Sequence, residues 1–335
     1  MFNFYSVRII SVKNTQFPQH RALEDTLLFC YIMKILITGS NGLLGFYLVR
    51  DLTRSGHEVL GTGLGIDRIP PVHLPGTGQY WYQPLDITDG AAVMELVGRW
   101  RPDWILHNAA WAQPDLCETN PVGCWAVNVT ATRFLAEAAR AVGASFLLVS
   151  TDFVFDGING PYREEDATSP VNYYGCSKLV AEKAVAASGV HWAIVRTVLV
   201  YGQSPTVKRF NLLTWVRDKL SAGEPVSVVN DQWRTPTYAG DLARGIRMVI
   251  EQRANGLFHI SGAEFMTPYD MAKATAQSLG LDEKLIKAVN AATFTQPARR
   301  PPRTGFHIDK ARRVLGFEPL PFTEGLHLML ESDPG

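Results

Sequence analysis

Cysteine is scarce. The 335 residues hold only Cys30, Cys117, Cys124 and Cys176, with no CxxC pair and no cysteine/histidine spacing of a zinc site. A secreted chain of this size could carry disulfides at such spacing, but free thiols in a reducing cytosol are expected. None of the eight histidines stands in HExxH, and no metal is expected. Excess charge of either sign is missing too, with 32 basic and 32 acidic side chains. A balanced chain has no electrostatic reason to bind a polyanion, so no nucleic-acid partner is expected. Long apolar runs are absent as well. The longest, Leu27 to Met33, stops at Lys34, far short of the ~20 residues of a membrane span. Acidic Glu24 and Asp25 precede it and no small-residue cleavage site follows, which argues against a signal peptide. The expectation is a soluble cytoplasmic protein with no membrane partner.

What the chain does have is a globular balance, 46% apolar against 19% charged residues, and a length suited to two domains or one domain with a lobe. Residues 1–32 carry no period or motif and read as an extension, poorly ordered or an upstream-start artefact, because Met33 directly precedes the apolar strand KILITG. From there β-rich runs at 34–39, 57–63, 80–87, 103–110, 145–151 and 192–200 alternate with helical patterns near 43–54, 89–100, 121–142 and 173–188. Near-continuous apolar strands separated by amphipathic helices predict an α/β fold with a parallel sheet covered on both faces. After Gly202 the rhythm loosens. The expected division is a sheet domain over 33–202 plus about 226–252, and a smaller C-terminal α/β lobe from about 203–225 and 253–335 that lies over the carboxyl ends of the strands.

The first strand runs into ITGSNGLLG, which spaces Gly39, Gly42 and Gly45 across a strand-to-helix turn. The first glycine permits the tight turn, the second close approach to a pyrophosphate, and the third close helix packing. An anion would sit against the helix N-terminus, beside Asn41, Leu43 and Leu44. Placed after the first strand of an alternating chain, the motif points to a dinucleotide and a Rossmann-type doubly wound sheet. An acid ending the second strand would favour NAD(H) by holding the ribose hydroxyls. Here that strand ends Gly61-Thr62-Gly63, with Asp67 and Arg68 further on. NADP(H) is therefore preferred, NAD(H) stays open, and Thr62 and Arg68 are either phosphate contacts or plain loop residues. Asp86 and Ile87 are placed to flank the adenine, while Asn108, Ala109 and Ala110 offer small residues at the fourth strand's end. Asn128 and Ser150 complete the expected cofactor set.

Tyr174 and Lys178 stand four residues apart in YGCSK, on one face of a helix. A nearby ammonium favours phenolate, which would bring a phenol from near 10 towards a useful acid/base range. Thr151, ending the fifth strand, offers a hydroxyl to the reacting oxygen. A second copy of the spacing, Tyr269 to Lys273, follows no strand-end hydroxyl and reads as ordinary helix.

These motifs together resemble the extended short-chain dehydrogenase/reductases, and more closely the dTDP-4-dehydrorhamnose reductase family. The resemblance rests on ITGSNGLLG, HNAAWAQPDLCE, VSTDFVFDG, PYREED, YGCSKLVAE, RTVLVYG, DQWRTPTYAGDLA and RRPPRTGFHIDKAR. It implies an NADPH-binding domain and a lobe for a nucleotide-linked sugar, with Thr151, Tyr174 and Lys178 catalytic and hydride passing to C4 of a keto-sugar. On the substrate side it implies Asp115, Asp152, Leu199, Gln232, Arg299 and Arg300; arginine forks match phosphate. It also implies a homodimer as the usual assembly. The chain departs from the family in Leu43-Leu44, where GQLG is usual, and in Leu199, where tryptophan is usual. GLLG, PYREED and MTPYDMA also resemble the regulatory β subunits of methionine adenosyltransferase. That likeness implies an alternative role, an NADP-binding partner of a methionine adenosyltransferase catalytic subunit.

Overall fold

The computed structural model describes residues 32–74, 76–206 and 211–331. The extension expected over 1–32 lies outside the described residues but for its last one. Strands β1 (Lys34–Thr38), β2 (Glu58–Gly63), β3 (Gln79–Pro84), β4 (Trp104–His107), β5 (Ser145–Thr151) and β6 (Trp192–Thr197) alternate with helices α1 (Leu43–Arg54), α2 (Gly90–Trp100), α3 (Pro114–Thr119), α4 (Pro121–Trp125), α5 (Ala131–Val142) and α6 (Tyr173–Ala186). Beyond them come β7 (Val200–Tyr201), α7 (Leu212–Ser221), β8 (Val226–Val229), β9 (Thr237–Tyr238), α8 (Ala239–Glu251), β10 (Gly256–His259), α9 (Pro268–Leu279), β11 (Ile286–Val289), α10 (Asp309–Leu315) and α11 (Phe322–Glu331).

The main sheet is parallel, in the order β3-β2-β1-β4-β5-β6-β10. Strand side chains alternate between faces, and β1 shows why both sides must be apolar. Ile35 and Ile37 enter one core layer with α1 and α8, while Leu36 enters the other with α2 and α5. The chain order reverses between β1 and β4, so a crevice opens at their carboxyl ends.

Two expected boundaries fall elsewhere. β10 was expected in the lobe but extends the main sheet, pairing Gly256–His259 with Ala193–Arg196 and covering the edge β6 would otherwise expose. β8, expected with the sheet domain, pairs instead with β11 under α7 and α9. Its burial alternates, Val226 and Val228 in and Ser227 out, as suits a small sheet covered on one face. α8 packs on α1 in the core beneath the main sheet. Among the described residues no helix is long and apolar enough to cross a membrane.

Candidate active site

The glycine turn lies at the switch between β1 and β4. Gly39 has φ +72° and donates its N–H to the Thr62 carbonyl at 2.8 Å, while its own carbonyl accepts Gly42 N–H at 3.0 Å. Gly42 caps α1 without a side-chain bond, and no acid occupies the first turn. The opening N–H groups of this helix therefore keep their capacity for an anion. Gly39, Gly42, Leu43 and Leu44 line a cavity of about 1030 Å³. A Cβ on Gly45 would stand 2.2 Å from the Gly39 carbonyl oxygen, so Gly45 serves helix packing and not the cavity wall. This glycine cradle fits a dinucleotide pyrophosphate.

Several expected cofactor contacts sit elsewhere. Thr62 is buried and donates to the Ile37 carbonyl at 3.2 Å, so its hydroxyl is turned into the sheet and away from any phosphate. Asn41 accepts the Arg68 N–H at 2.9 Å and donates to the Ile66 carbonyl at 2.9 Å and the Tyr82 hydroxyl at 3.1 Å. It shapes the loop that presents the exposed Arg68. A carboxylate does stand there: Asp67 accepts from Tyr80 Oη and from Ile69 N–H, each at 3.1 Å. Asp86 is exposed and held below the usual carboxylate range by the Thr88 hydroxyl and N–H, and Ile87 is core; neither lines the cavity.

Asn108, Ala109 and Ala110 do line it. The N–H groups of Asn108 and Ala109 donate to Thr38 Oγ1 at 3.2 and 3.1 Å. That hydroxyl therefore gives its own proton to His107 Nδ1, 2.8 Å away. The imidazole then donates from Nε2 to Thr132 Oγ1 at 3.0 Å, and Thr132 donates to the Asn128 carbonyl at 2.7 Å. The Asn128 side chain clamps Trp111, accepting its N–H at 2.8 Å and donating to its carbonyl at 3.1 Å, and reaches Ser177 Oγ at 3.0 Å. Asn128 thus braces the site from behind and does not line the cavity.

Burial holds His107 down to about 3, with Lys178 acting in the same direction, and burial also lowers His259 well below its ordinary value. The unfolded chain takes up these protons near 6.5, and the folded chain does so only at much lower pH. Below about pH 6.5 the unfolded state thus binds more protons, and each such group removes about 1.4 kcal/mol of stability per pH unit. Urea unfolding at pH 7.5 and 5.5 checks this: stability should fall on acidification, and His107→Gln should remove that histidine's share of the slope.

Helix α6 is started by Asn172, whose side chain accepts the Gly175 N–H at 2.8 Å and donates to the Arg299 carbonyl at 2.8 Å. Tyr174, Lys178 and Glu182 follow one turn apart, each on the end of β5. The phenol lies beside Thr151, Lys178 Nζ donates to the Val149 carbonyl at 2.7 Å, and Glu182 accepts from Ser150 Oγ at 2.5 Å. Ser150 borders the cavity, but its hydroxyl is committed to Glu182. Burial pushes the Tyr174 phenol well above its ordinary value and Asp152 adds to this, against a lowering by Thr151. The lowering expected from Lys178 is not what governs the phenol, because the ammonium is aimed at Val149. Burial brings Lys178 down to about 8, opposed by the Glu182 charge. In the second YxxxK copy, Tyr269 packs in the lobe core and Lys273 lies 3.4 Å from Glu283.

Asp152, Leu199, Gln232 and Arg300 also line the cavity, and Arg299 and Asp115 do not. Asp115 grips Arg300 with both oxygens at 2.6 Å, which holds its carboxyl below the usual range. Leu199 sits in the left-handed region at φ +37° with 43% of its surface exposed. That conformation is costly for a γ-branched residue and is characteristic of functional sites. Sequence reasoning missed Arg234. Its buried guanidinium donates to the carbonyls of Trp233, Pro301 and Pro302 at 2.7, 2.8 and 3.2 Å, and its Nε lies 3.8 Å from Asp152. Asp152 also accepts from Thr304 and Thr151. An arginine in a loop reads as solvated, and its position inside DQWRTPTY was the only available signal. Gln203, Asn211, Thr214 and Met271, also missed, bring the lobe to the same cavity.

The chain is 34% identical over 286 residues to the probable low-salt glycan biosynthesis reductase Agl14 of Haloferax volcanii, covering 85% of this chain and 93% of that one. It is 32% identical over 300 residues to methionine adenosyltransferase 2 subunit beta of Mus musculus, covering 88% and 86%. The crystal structure of dTDP-4-dehydrorhamnose reductase from Bacillus anthracis in complex with NADP superposes with a TM-score of 0.77 at 28% identity, covering 90% of this chain and all of that one. Residues 33–333 match the RmlD substrate binding domain, and the chain belongs to that family.

Proposed function

We propose that the protein is an NADPH-dependent reductase of a nucleotide-linked 4-keto-6-deoxy sugar. One observation carries the reading. Thr151, Tyr174 and Lys178 converge on a single cavity that also takes the glycine cradle at one end and the lobe at the other. The likeness to a dTDP-4-dehydrorhamnose reductase with NADP supports the same class, an NAD(P)-dependent sugar-nucleotide oxidoreductase. Gly39, Gly42, Leu43 and Leu44 would hold the pyrophosphate, and Asn108 to Ala110 and Lys178 the nicotinamide end. A bound reduced nicotinamide supplies hydride to the C4 carbonyl carbon, but it has no strong acid to offer the oxygen.

The protein must therefore bring the proton. Burial keeps Tyr174 protonated at neutral pH, so its Oη–H donates to the C4 oxygen as that oxygen gains charge, a far stronger base than any resting carbonyl. Thr151 Oγ1 hydrogen-bonds the same oxygen. Lys178 fixes the nicotinamide ribose and lends positive charge to the phenolate left behind. Arg234 and Arg300 provide cationic character on the substrate wall. Purified protein mixed with NADPH and dTDP-4-keto-6-deoxy-mannose is expected to oxidise the cofactor, followed at its ultraviolet absorbance; no oxidation would reject the reading.

The likeness to the mouse methionine adenosyltransferase subunit supports a second reading, an NADP-binding regulatory partner with little turnover. Co-purification with a methionine adenosyltransferase catalytic subunit, without turnover of any keto-sugar, would favour it.

A further inference from the structure

Behind the proposed acid and its lysine lies a buried ion pair that the chemistry above does not use. Glu182 receives Arg196 Nε at 2.9 Å and Nη2 at 2.7 Å, both side chains being almost wholly buried. The carboxylate takes a third bond from Ser150. Arg196 stands directly opposite Ser150 in the register of β6 with β5, so the pair spans two strands and one helix. Its place is informative. Tyr174, Lys178 and Glu182 rise up one face of α6 at intervals of four, and they meet Thr151, Val149 and Ser150, three consecutive residues of β5. One anchor would let the helix roll on the strand, whereas two anchors a turn apart fix both roll and height.

We propose that Glu182 is a positioning residue, clamped by Arg196 and Ser150, that sets the seat of α6 on β5 and with it the hold of Lys178 on the Val149 carbonyl at the cavity wall. This rests on the roles given above to Tyr174 and Lys178. The groups that face Lys178 are few. Glu182 and Tyr174 belong to its own helix, Cys124 comes from α4 and His107 from β4. His107 is neutral, so Glu182 is the main counter-charge to an ammonium that burial would otherwise drive to its neutral form.

The test reads Lys178 directly. Protein labelled with ¹³C at lysine Cε is titrated without any ligand, and the Lys178 signal is assigned by its loss in Lys178→Arg. The wild type should titrate at about 8. Glu182→Gln should lower that midpoint by about one pH unit, a tenfold change in the proton equilibrium. Because Glu182→Gln leaves Arg196 buried and unpaired, the double variant Glu182→Gln/Arg196→Gln is measured alongside, and a smaller fall in the same direction is expected, since the guanidinium's repulsion of the ammonium goes with it. An unchanged midpoint in either folded variant would overturn the proposal, since a merely structural pair has no reason to move it. No substrate enters the measurement, so its failure would leave the reductase reading intact. Equally, a failed turnover assay would leave the titration result standing.

Discussion

Tyr174→Phe is expected to lower the rate of NADPH oxidation by about 10²–10⁴-fold, the usual share of a positioned general acid. Thermal stability should change little. The lost hydroxyl lies beside Thr151, which keeps its own partners, Asp152 Oδ1 at 3.1 Å and the Phe153 N–H at 3.2 Å. NADPH affinity, measured by fluorescence quenching, should also hold, because Lys178 and the glycine cradle are untouched. Equal rates in the two proteins would remove Tyr174 from its assigned role and leave the cavity without a proton donor of matching placement.

The second large effect concerns the residue after the phenol. A Cβ on Gly175 would stand 2.1 Å from the Phe153 carbonyl oxygen and 2.9 Å from its carbon, with Pro170 Cβ at 3.0 Å. Backbone lies on the far side of this contact, so relief must come from moving α6 itself. Gly175→Ala should therefore displace Tyr174 from Thr151, and a shift near 1 Å costs about 10²-fold in rate. Overpacking of this kind also destabilises by about 1–3 kcal/mol. Gly98→Ala makes the comparison sharp. Gly98 lies in α2 with no neighbour within 4 Å of the added carbon, and alanine there should stabilise by about 0.5–1 kcal/mol. Full activity in Gly175→Ala would show that the seat of α6 tolerates adjustment.

Local order explains what could be read from the sequence. YGCSK placed a phenol and an ammonium on one helix face because four residues make about one turn, and ITGSNGLLG placed a turn because the first glycine takes a positive φ. Contacts between distant segments left no such trace. Asp115 meets Arg300 across 185 residues and Asp152 meets Thr304 across 152; nothing in either segment alone says which partner the other will choose. The hydroxyl of Ser150 turned to Glu182, and that of Thr62 to a strand carbonyl, because a buried donor takes whichever acceptor the packing offers. The effect of Lys178 on Tyr174 was inferred from spacing, but the Val149 carbonyl, supplied by another element, set where the ammonium points.

The place of β10 bears on how the chain can be divided. The sheet that cradles the glycine turn is completed by Gly256–His259, and α1 is covered by α8, both of which follow the first lobe segments in the chain. A gene fragment ending at Gly202 would expose one flank of β6 and the apolar back of α1 to water. The half that carries the glycine turn cannot be excised as a free-standing module, and a domain-swapped hybrid must carry residues 239–259 along with the first half to keep β6 and α1 covered.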